Sequence, residues 1–275
     1  MHDEESTVAT RYRITSPAVF NAVVTLVLEH AAAVFDAALE LGDQSGRQLP
    51  SASKHWKKTR SAIKVFLGNI VTLLPMLADP DMLSTALVRA SDAARYFVCF
   101  PRLGKKLMHQ CLEVWSTAAE ENNRMHAFLV IRALAMALPA PFLEIGLKGV
   151  YLNYVRCCKF RSPAAQASLA LMENCVVELY RLDRQDTYQH AFVYIRQLAI
   201  HLRGAITTKK KESFAQVYNW QFICSLRLWA RVLAECRDPA ADSGWFCFPI
   251  NKNKKINKKE GKNEKKKEEE KRKMK

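Results

Sequence analysis

Three kinds of residue along the chain have the chemistry to act on a partner: histidines and cysteines, close glycine pairs, and clusters of lysine and arginine. His109 with Cys111 and His190 with His201 are the pairs a metal ion could be imagined to use. Two ligands on one helix need a separation of three or four residues, and neither pair has it; no HExxH occurs either. Ordinary helix-borne histidines are expected, with no metal site and no cofactor. Neither GxGxxG nor GxxxxGK[ST] is present, so nucleotide binding has no support, and no GxSxG elbow or paired carboxylates point to hydrolysis. Gly146 and Gly149 form a Gly-Leu-Lys-Gly step that could clamp a nucleic-acid backbone only with strands around it; between helices it reads as a point of close packing. No catalytic residue is assigned, and an enzyme is the weaker class.

Cations are what remain. Lys148, Arg156, Lys159 and Arg161 gather towards the end of one helical segment, Arg203 with Lys209, Lys210 and Lys211 surrounds a connector, and Lys54, Lys57, Lys58, Arg60 and Lys64 open another segment. Each cluster suits a solvated helix face, and basic groups near a helix C-terminus offset its dipole. Together they could follow a phosphate backbone. Arg196 joins the set through the polar column Gln189, Arg196 and Arg203. The candidate partner-facing or RNA-facing residues are therefore Arg196, Arg203, Lys209, Lys210, Lys211, Lys148, Arg156 and Lys159.

Helices must position these groups. With 9 Gly and 10 Pro in 275 residues, there is little material for the turns of β-sandwiches or nucleotide-binding α/β folds. Ser16-Pro17, Ser53, Asp79-Pro80, Ser162-Pro163 and Thr207 or Thr208 offer helix-capping side chains, and Gly42, Pro101, Pro139, Pro141 and Asp238-Pro239 offer stops. About nine helices are expected from this punctuation. Phe20, Val23, Val27, Ala31, Val34, Ala38 and Leu41 recur with helical spacing, as do Tyr188, Phe192, Ile195, Ala199, Leu202 and Ile206, and each stripe is expected to face a core. The segment from Phe214 to Leu233 is apolar on most sides and is expected to be covered on most sides. Long helices with short connectors make a row of hairpins, so the expected fold is all-α, an α-solenoid of HEAT or armadillo-like hairpins.

Eight cysteines with no CxxC are scattered through apolar segments, as in a reduced intracellular protein. Ala18 to Leu28 carries no charge, but an acidic leader precedes it and the pattern continues past Glu29, so neither a signal peptide nor a membrane span is expected.

The formal net charge of +15 is unevenly placed, because Asn251 to Lys275 holds twelve Lys and one Arg against five Glu. Such a run cannot bury enough apolar surface to fold. Residues 1–12 are expected to be a flexible N-terminus, 13–237 a helical-repeat domain, and 238–275 a low-complexity Lys-rich tail. Within the tail, Lys265, Lys266, Lys267, Lys271, Arg272 and Lys273 are the candidate nuclear-targeting residues.

Particular residues say more than the pattern. The run Lys148-Gly-Val-Tyr-Leu-Asn-Tyr-Val-Arg-Cys-Cys-Lys-Phe160, then Asn174-Cys-Val-Val-Glu-Leu-Tyr180, then Tyr188 to Ile200, closely resembles the nucleolar complex protein 2 family. Lys57-Lys58, Phe100-Pro-Arg-Leu-Gly-Lys-Lys106, Tyr218-Asn-Trp-Gln-Phe222 and Leu228-Trp229 fit it as well, and the resemblance covers roughly Tyr12 to Glu235. It implies a non-enzymatic helical-repeat protein of the nucleolus and nucleoplasm, a scaffold in the maturation and intranuclear transport of large (60S) ribosomal subunit precursors. The implied partners are the related nucleolar complex proteins 1 and 3 and pre-60S particles, with rRNA a possible contact. Direct binding of pre-rRNA by the helical repeats is the alternative. The family's helical region is expected to continue beyond Cys236, whereas here Ser243-Gly-Trp-Phe-Cys-Phe-Pro249 leads into the tail, as expected of a truncated member.

Overall fold

The structure is a computed structural model, and it describes residues 15–40, 49–138, 141–160 and 162–235. Among these residues every α or β element is a helix, eleven α-helices in all, two more than the punctuation suggested. The fold is all-α. The chain divides into two compact units at Leu182 and Asp183.

The first unit holds α1 (Pro17–Ala38), α2 (Trp56–Leu73), α3 (Pro80–Asp92), the single turn α4 (Ala94–Phe97), α5 (Pro101–Thr117), α6 (Glu121–Ala137), α7 (Phe142–Cys157) and α8 (Pro163–Tyr180). Its helices alternate between two layers: α2, α5 and α7 pack side by side in one, and α3, α6 and α8 in the other. Short connectors force this alternation, since a helix that cannot travel far must fold back on its predecessor. The fully buried Ile63, Leu67, Leu87, Leu107, Met108, Trp115 and Ile131 fill the space between the layers. Buried polar ties fix the register. Gln110 Nε2 donates to the Val71 carbonyl at 2.7 Å, Asn123 Nδ2 to the Pro80 carbonyl at 3.2 Å, and the Tyr180 hydroxyl to the Leu147 carbonyl at 3.2 Å.

Two of the expected caps form as read: the Asp79 carboxylate accepts from Asp81 N–H and the Ser162 hydroxyl from Ala165 N–H, each ahead of a proline at the helix start. Ser16 precedes α1 without a side-chain cap bond. Gly42, Pro139 and Asp238-Pro239 lie outside the described residues.

The apolar stripe of α1 is rotated from its expected face. Phe20, Val23, Val27 and Val34 are all exposed by 41% or more, while Leu28 is buried and Leu39 just beyond the helix is buried with it. Nearly every position of this helix is apolar, so spacing alone cannot choose the inward side; the contacts do. Phe35 meets Phe66 and Tyr96 edge-on at ring separations of 5.4 and 5.8 Å. Asp36 pairs with Arg95 and accepts from the Tyr96 hydroxyl. By length and composition α1 is the one described helix apolar enough to cross a membrane. Its Asp36 and Phe35 contact α2 and α4 of the first unit, and most of its other positions are exposed.

The second unit holds α9 (Arg184–Thr208), α10 (Lys211–Val217) and α11 (Trp220–Glu235). Thr207 and Thr208 do not cap a new helix. They end α9, their hydroxyls donating to the Arg203 and Gly204 carbonyls. The α9 stripe is also turned from its expected orientation: Phe192, Leu202 and Ile206 are exposed by 45%, 44% and 62%, while Thr187, Ala191 and Ala205 are buried. The small residues permit closer helix approach, and the large ones are left outside. Phe214 to Leu233 is two helices rather than one, covered on one face: Phe222, Leu228, Trp229 and Val232 are buried, whereas Tyr218, Trp220, Ile223 and Leu226 are exposed. Asn219 makes the corner, donating from Nδ2 to the Ala215 and Gln216 carbonyls and accepting at Oδ1 from Phe222 N–H at 2.8 Å. The Tyr194 and Trp229 rings stack 6.0 Å apart and join α9 to α11.

Candidate functional site

Of the clusters singled out in the sequence, two reach a concavity: Lys148 and Arg156 line one, and Lys58 lines another. A cleft of about 840 Å³ runs between α5 and α7, with Lys105 and His109 on one wall and Lys148, Leu152 and Arg156 on the other. Spacing explains the walls. Lys105, His109, Glu113 and Thr117 follow one another at intervals of four on α5, and Lys148, Leu152 and Arg156 do so on α7, so each row forms one exposed edge.

Gly149 explains why the two helices come close enough to share a cleft. A Cβ at this position would lie 2.3 Å from Cδ1 of Leu112, whose side chain fills the space a larger residue would need. Gly146 faces Leu179 and Met108 at ordinary contact distance. The Gly-Leu-Lys-Gly step is thus a packing device, and among the described residues no strand lies beside it.

Arg156 is anchored. Its Nη2 donates to the Ser116 hydroxyl at 3.1 Å, which in turn donates to the Glu113 carbonyl at 3.0 Å, so the guanidinium is held at the mouth of the cleft. The neighbouring Cys157 thiol points to the Ser116 carbonyl at 3.7 Å. Burial pushes that thiol above its ordinary range, partly opposed by the charges of Arg124 and Arg156, which makes it a poor nucleophile. The cleft carries three lysine or arginine cations against one carboxylate, Glu113. It has the make-up of a binding surface.

The other candidates lie elsewhere. Lys159 is past the end of α7, with its ammonium 5.2 Å from the centre of the Phe160 ring. Arg161 is outside the described residues. Arg196 and Arg203 are exposed on α9; Lys209 closes that helix in the left-handed conformation at φ 51°, and Lys210 and Lys211 begin α10. This second set belongs to the second unit. Lys265, Lys266, Lys267, Lys271, Arg272 and Lys273 lie outside the described residues. Lys54, Lys57, Lys58, Arg60 and Lys64 are exposed on or just before α2. A second concavity, of about 900 Å³, lies between α1 and α2 and is walled chiefly by Leu26, Val34, Phe35, Val65 and Phe66.

Sequence reasoning missed Lys105, His109 and Leu152 as members of the cleft. The spacing of Lys148, Leu152 and Arg156 was readable. The opposite wall depends on which helix packs against α7, and only Gly149 hinted at a close neighbour. Among the described residues, no three of His, Cys, Asp and Glu converge as a metal site would require.

Residues 141–257 match the Noc2p family, a range that contains α7 to α11 and runs past the boundary expected at residue 238. The chain is similar to Nucleolar complex protein 2 of Drosophila melanogaster, 38% identical over 225 residues that take in 82% of this chain and 29% of the fly protein. It is similar to Nucleolar complex-associated protein 2 of Arabidopsis thaliana, 30% identical over 226 residues, 80% of this chain and 30% of the plant protein. An uncharacterized NOC2 family protein of Schizosaccharomyces pombe is 29% identical over 235 residues, 85% of this chain and 33% of its own length. The chain spans about three tenths of the length of these curated relatives.

Proposed function

Because the chain belongs to the Noc2p family, we propose that it is a non-enzymatic ribosome-biogenesis factor of the nucleolus, acting as a scaffold through contacts with other proteins. In the finer reading it serves the large-subunit (60S) precursors in the nucleolus and nucleoplasm. Its partners are then the related nucleolar complex proteins 1 and 3, and its hairpins belong to a HEAT or armadillo-like array. The observation that carries the protein-binding part is the apolar surface of the second unit. Phe192, Leu202 and Ile206 on α9 and Ile223 and Leu226 on α11 are large hydrophobic side chains exposed by 44% or more. Leu202 and Ile206 stand four residues apart on α9 and Ile223 and Leu226 three apart on α11, so each pair shares a helix face, and adjoining exposed apolar side chains favour a protein-interaction surface.

Direct pre-rRNA binding is the second reading, favoured by the exposed cations Arg196, Arg203, Lys209, Lys210 and Lys211. Salt separates the two, because a phosphate-driven complex weakens steeply as salt rises and an apolar interface does not. The test of the function itself is to locate the tagged full chain in cells and sediment nuclear extract on a gradient. Accumulation in the nucleolus and co-sedimentation with pre-60S particles are expected. Exclusion from the nucleolus, or sedimentation as free protein only, would overturn the proposal.

A further inference from the structure

The chemistry of the α5–α7 cleft specifies its occupant more closely than family membership does. We propose that this cleft docks an acidic amphipathic helix from a partner protein, an inference that rests on the reading of the chain as a protein scaffold and names the partner chemistry at this one site. Four features support it.

The first is charge. Lys105 stands on the α5 wall and Lys148 and Arg156 on the α7 wall, with Glu113 the one carboxylate between them, so an occupant with two or three acidic side chains is complementary. The second is the apolar strip between the cations. Leu152 is 47% exposed one turn from Lys148 and one turn from Arg156, Ile145 is half-buried two turns earlier on the same helix, and the buried Leu112 forms the floor. A phosphate backbone would satisfy the cations but leave this strip wet. No Phe, Tyr or Trp lines the cleft, so only the His109 ring and the Arg156 guanidinium, already held by Ser116, are there for a base to stack on.

The third feature is shape. The cleft lies between the side-chain ridges of two helices and offers no free strand edge, so a helix laid in the groove is the fitting mode. Its walls run from Lys105 to Thr117 on α5, about 18 Å at the helical rise, which accommodates about three turns of a partner helix. The fourth is preorganisation. Arg156 is already held by Ser116 at 3.1 Å, and Gly149 fixes the spacing of the walls, so little ordering is left for the binding step.

Leu152 is the place to test it. The full 275-residue chain, with Leu152 replaced by the photoreactive p-benzoylphenylalanine, is expressed in cells and irradiated, and its adducts are mapped by mass spectrometry. The expected adduct is a peptide with apolar residues at helical spacing flanked by Asp or Glu. A synthetic copy of that peptide should bind the full chain in fluorescence anisotropy. Lys148→Glu on one wall and Lys105→Glu on the other should each weaken it about tenfold, and Leu152→Ala several-fold. All three positions are on the surface, and unchanged helical circular dichroism confirms folding. Adducts to RNA alone, adducts to a peptide without acidic residues, no adduct at all, or a synthetic copy indifferent to Lys148→Glu would each overturn the proposal. The biogenesis reading fails separately, because an acidic-helix adduct from a chain that never reaches the nucleolus refutes that reading and leaves the cleft assignment standing.

Discussion

Gly149 on α7 faces Leu112 on α5 so closely that a Cβ at position 149 would lie 2.3 Å from Leu112 Cδ1 and 2.9 Å from Cδ2. Leu112 is 4% exposed and has little room to yield. Gly149→Ala gains about 1 kcal/mol in helix propensity but overpacks a core contact at a cost of about 1–3 kcal/mol. The net effect expected is destabilisation, relieved when Leu112→Ala is added. Gly68 in α2 is the control, since nothing lies within 4 Å of its would-be Cβ. Gly68→Ala should stabilise by about 0.5–1 kcal/mol. Urea denaturation of these three variants, with Leu112→Ala alone as the reference for the double change, decides the matter; equal effects at the two glycines would contradict the packing described.

The link between α1 and the stack should behave as a unit. Asp36 accepts from the Tyr96 hydroxyl and pairs with Arg95, and Tyr96 is fully buried. Asp36→Ala removes the acceptor from both and should cost about 1–3 kcal/mol. Tyr96→Phe in the Asp36→Ala background should add far less than it does alone, which a double-mutant cycle measures. Additive losses would mean the two groups are not coupled. Hydrogen exchange should show α1 opening first in Asp36→Ala.

A substitution on α9 separates the expected stripe from the observed one. If Ile206 lined a core, Ile206→Ser would cost several kcal/mol; at 62% exposure it should change stability by less than about 0.5 kcal/mol. The same change should raise solubility, because it removes a large exposed apolar side chain. Denaturation midpoint and concentration-dependent light scattering read the two effects. A large loss of stability would return Ile206 to the core.

These helices also show how far sequence alone could reach. Asp79-Pro80 and Ser162-Pro163 marked two helix starts because capping is local, a side-chain oxygen meeting an N–H two or three residues on. Asp183 caps α9 by the same chemistry, accepting from Gln185 and Asp186 N–H at 2.8 and 3.0 Å, and it was readable but passed over. Choosing faces was harder. α1 and α9 carry apolar residues around more than half of their circumference, so several stripes fit the helical period and only the neighbours select one. The same is true of the cleft: Lys148, Leu152 and Arg156 were legible as a row, while Lys105 joins them only because α5 and α7 occupy one layer.

Buried thiols set an alkaline limit. Burial lifts the Cys175 thiol from an ordinary 9.0 up to about 11, partly opposed by the nearby Trp115 indole, and it pushes Cys111 upward as well. A group raised in the folded state releases its proton first when unfolded. Its stabilisation is therefore complete below pH 9 and is lost as pH rises from 9 towards 11, by at most about 1.4 kcal/mol per pH unit for one thiol. Tyr96, raised by burial and by Asp36, adds to the loss once pH passes 10. The urea midpoint should be flat in its thiol contribution up to about pH 9 and then fall. Cys175→Ala should flatten part of that decline. An unchanged midpoint between pH 9 and 11 would contradict the burial of these groups.

The central claim is that this chain works by holding other proteins, and one measurement addresses it directly. The tagged full chain is purified from nuclei in high salt after RNase treatment, and the recovered proteins are quantified. The account predicts a stoichiometric protein partner that survives both treatments, because an apolar interface carries the contact. Recovery of partners only at low salt, and their loss with RNase, would show that RNA holds the assembly together and would contradict the scaffold reading.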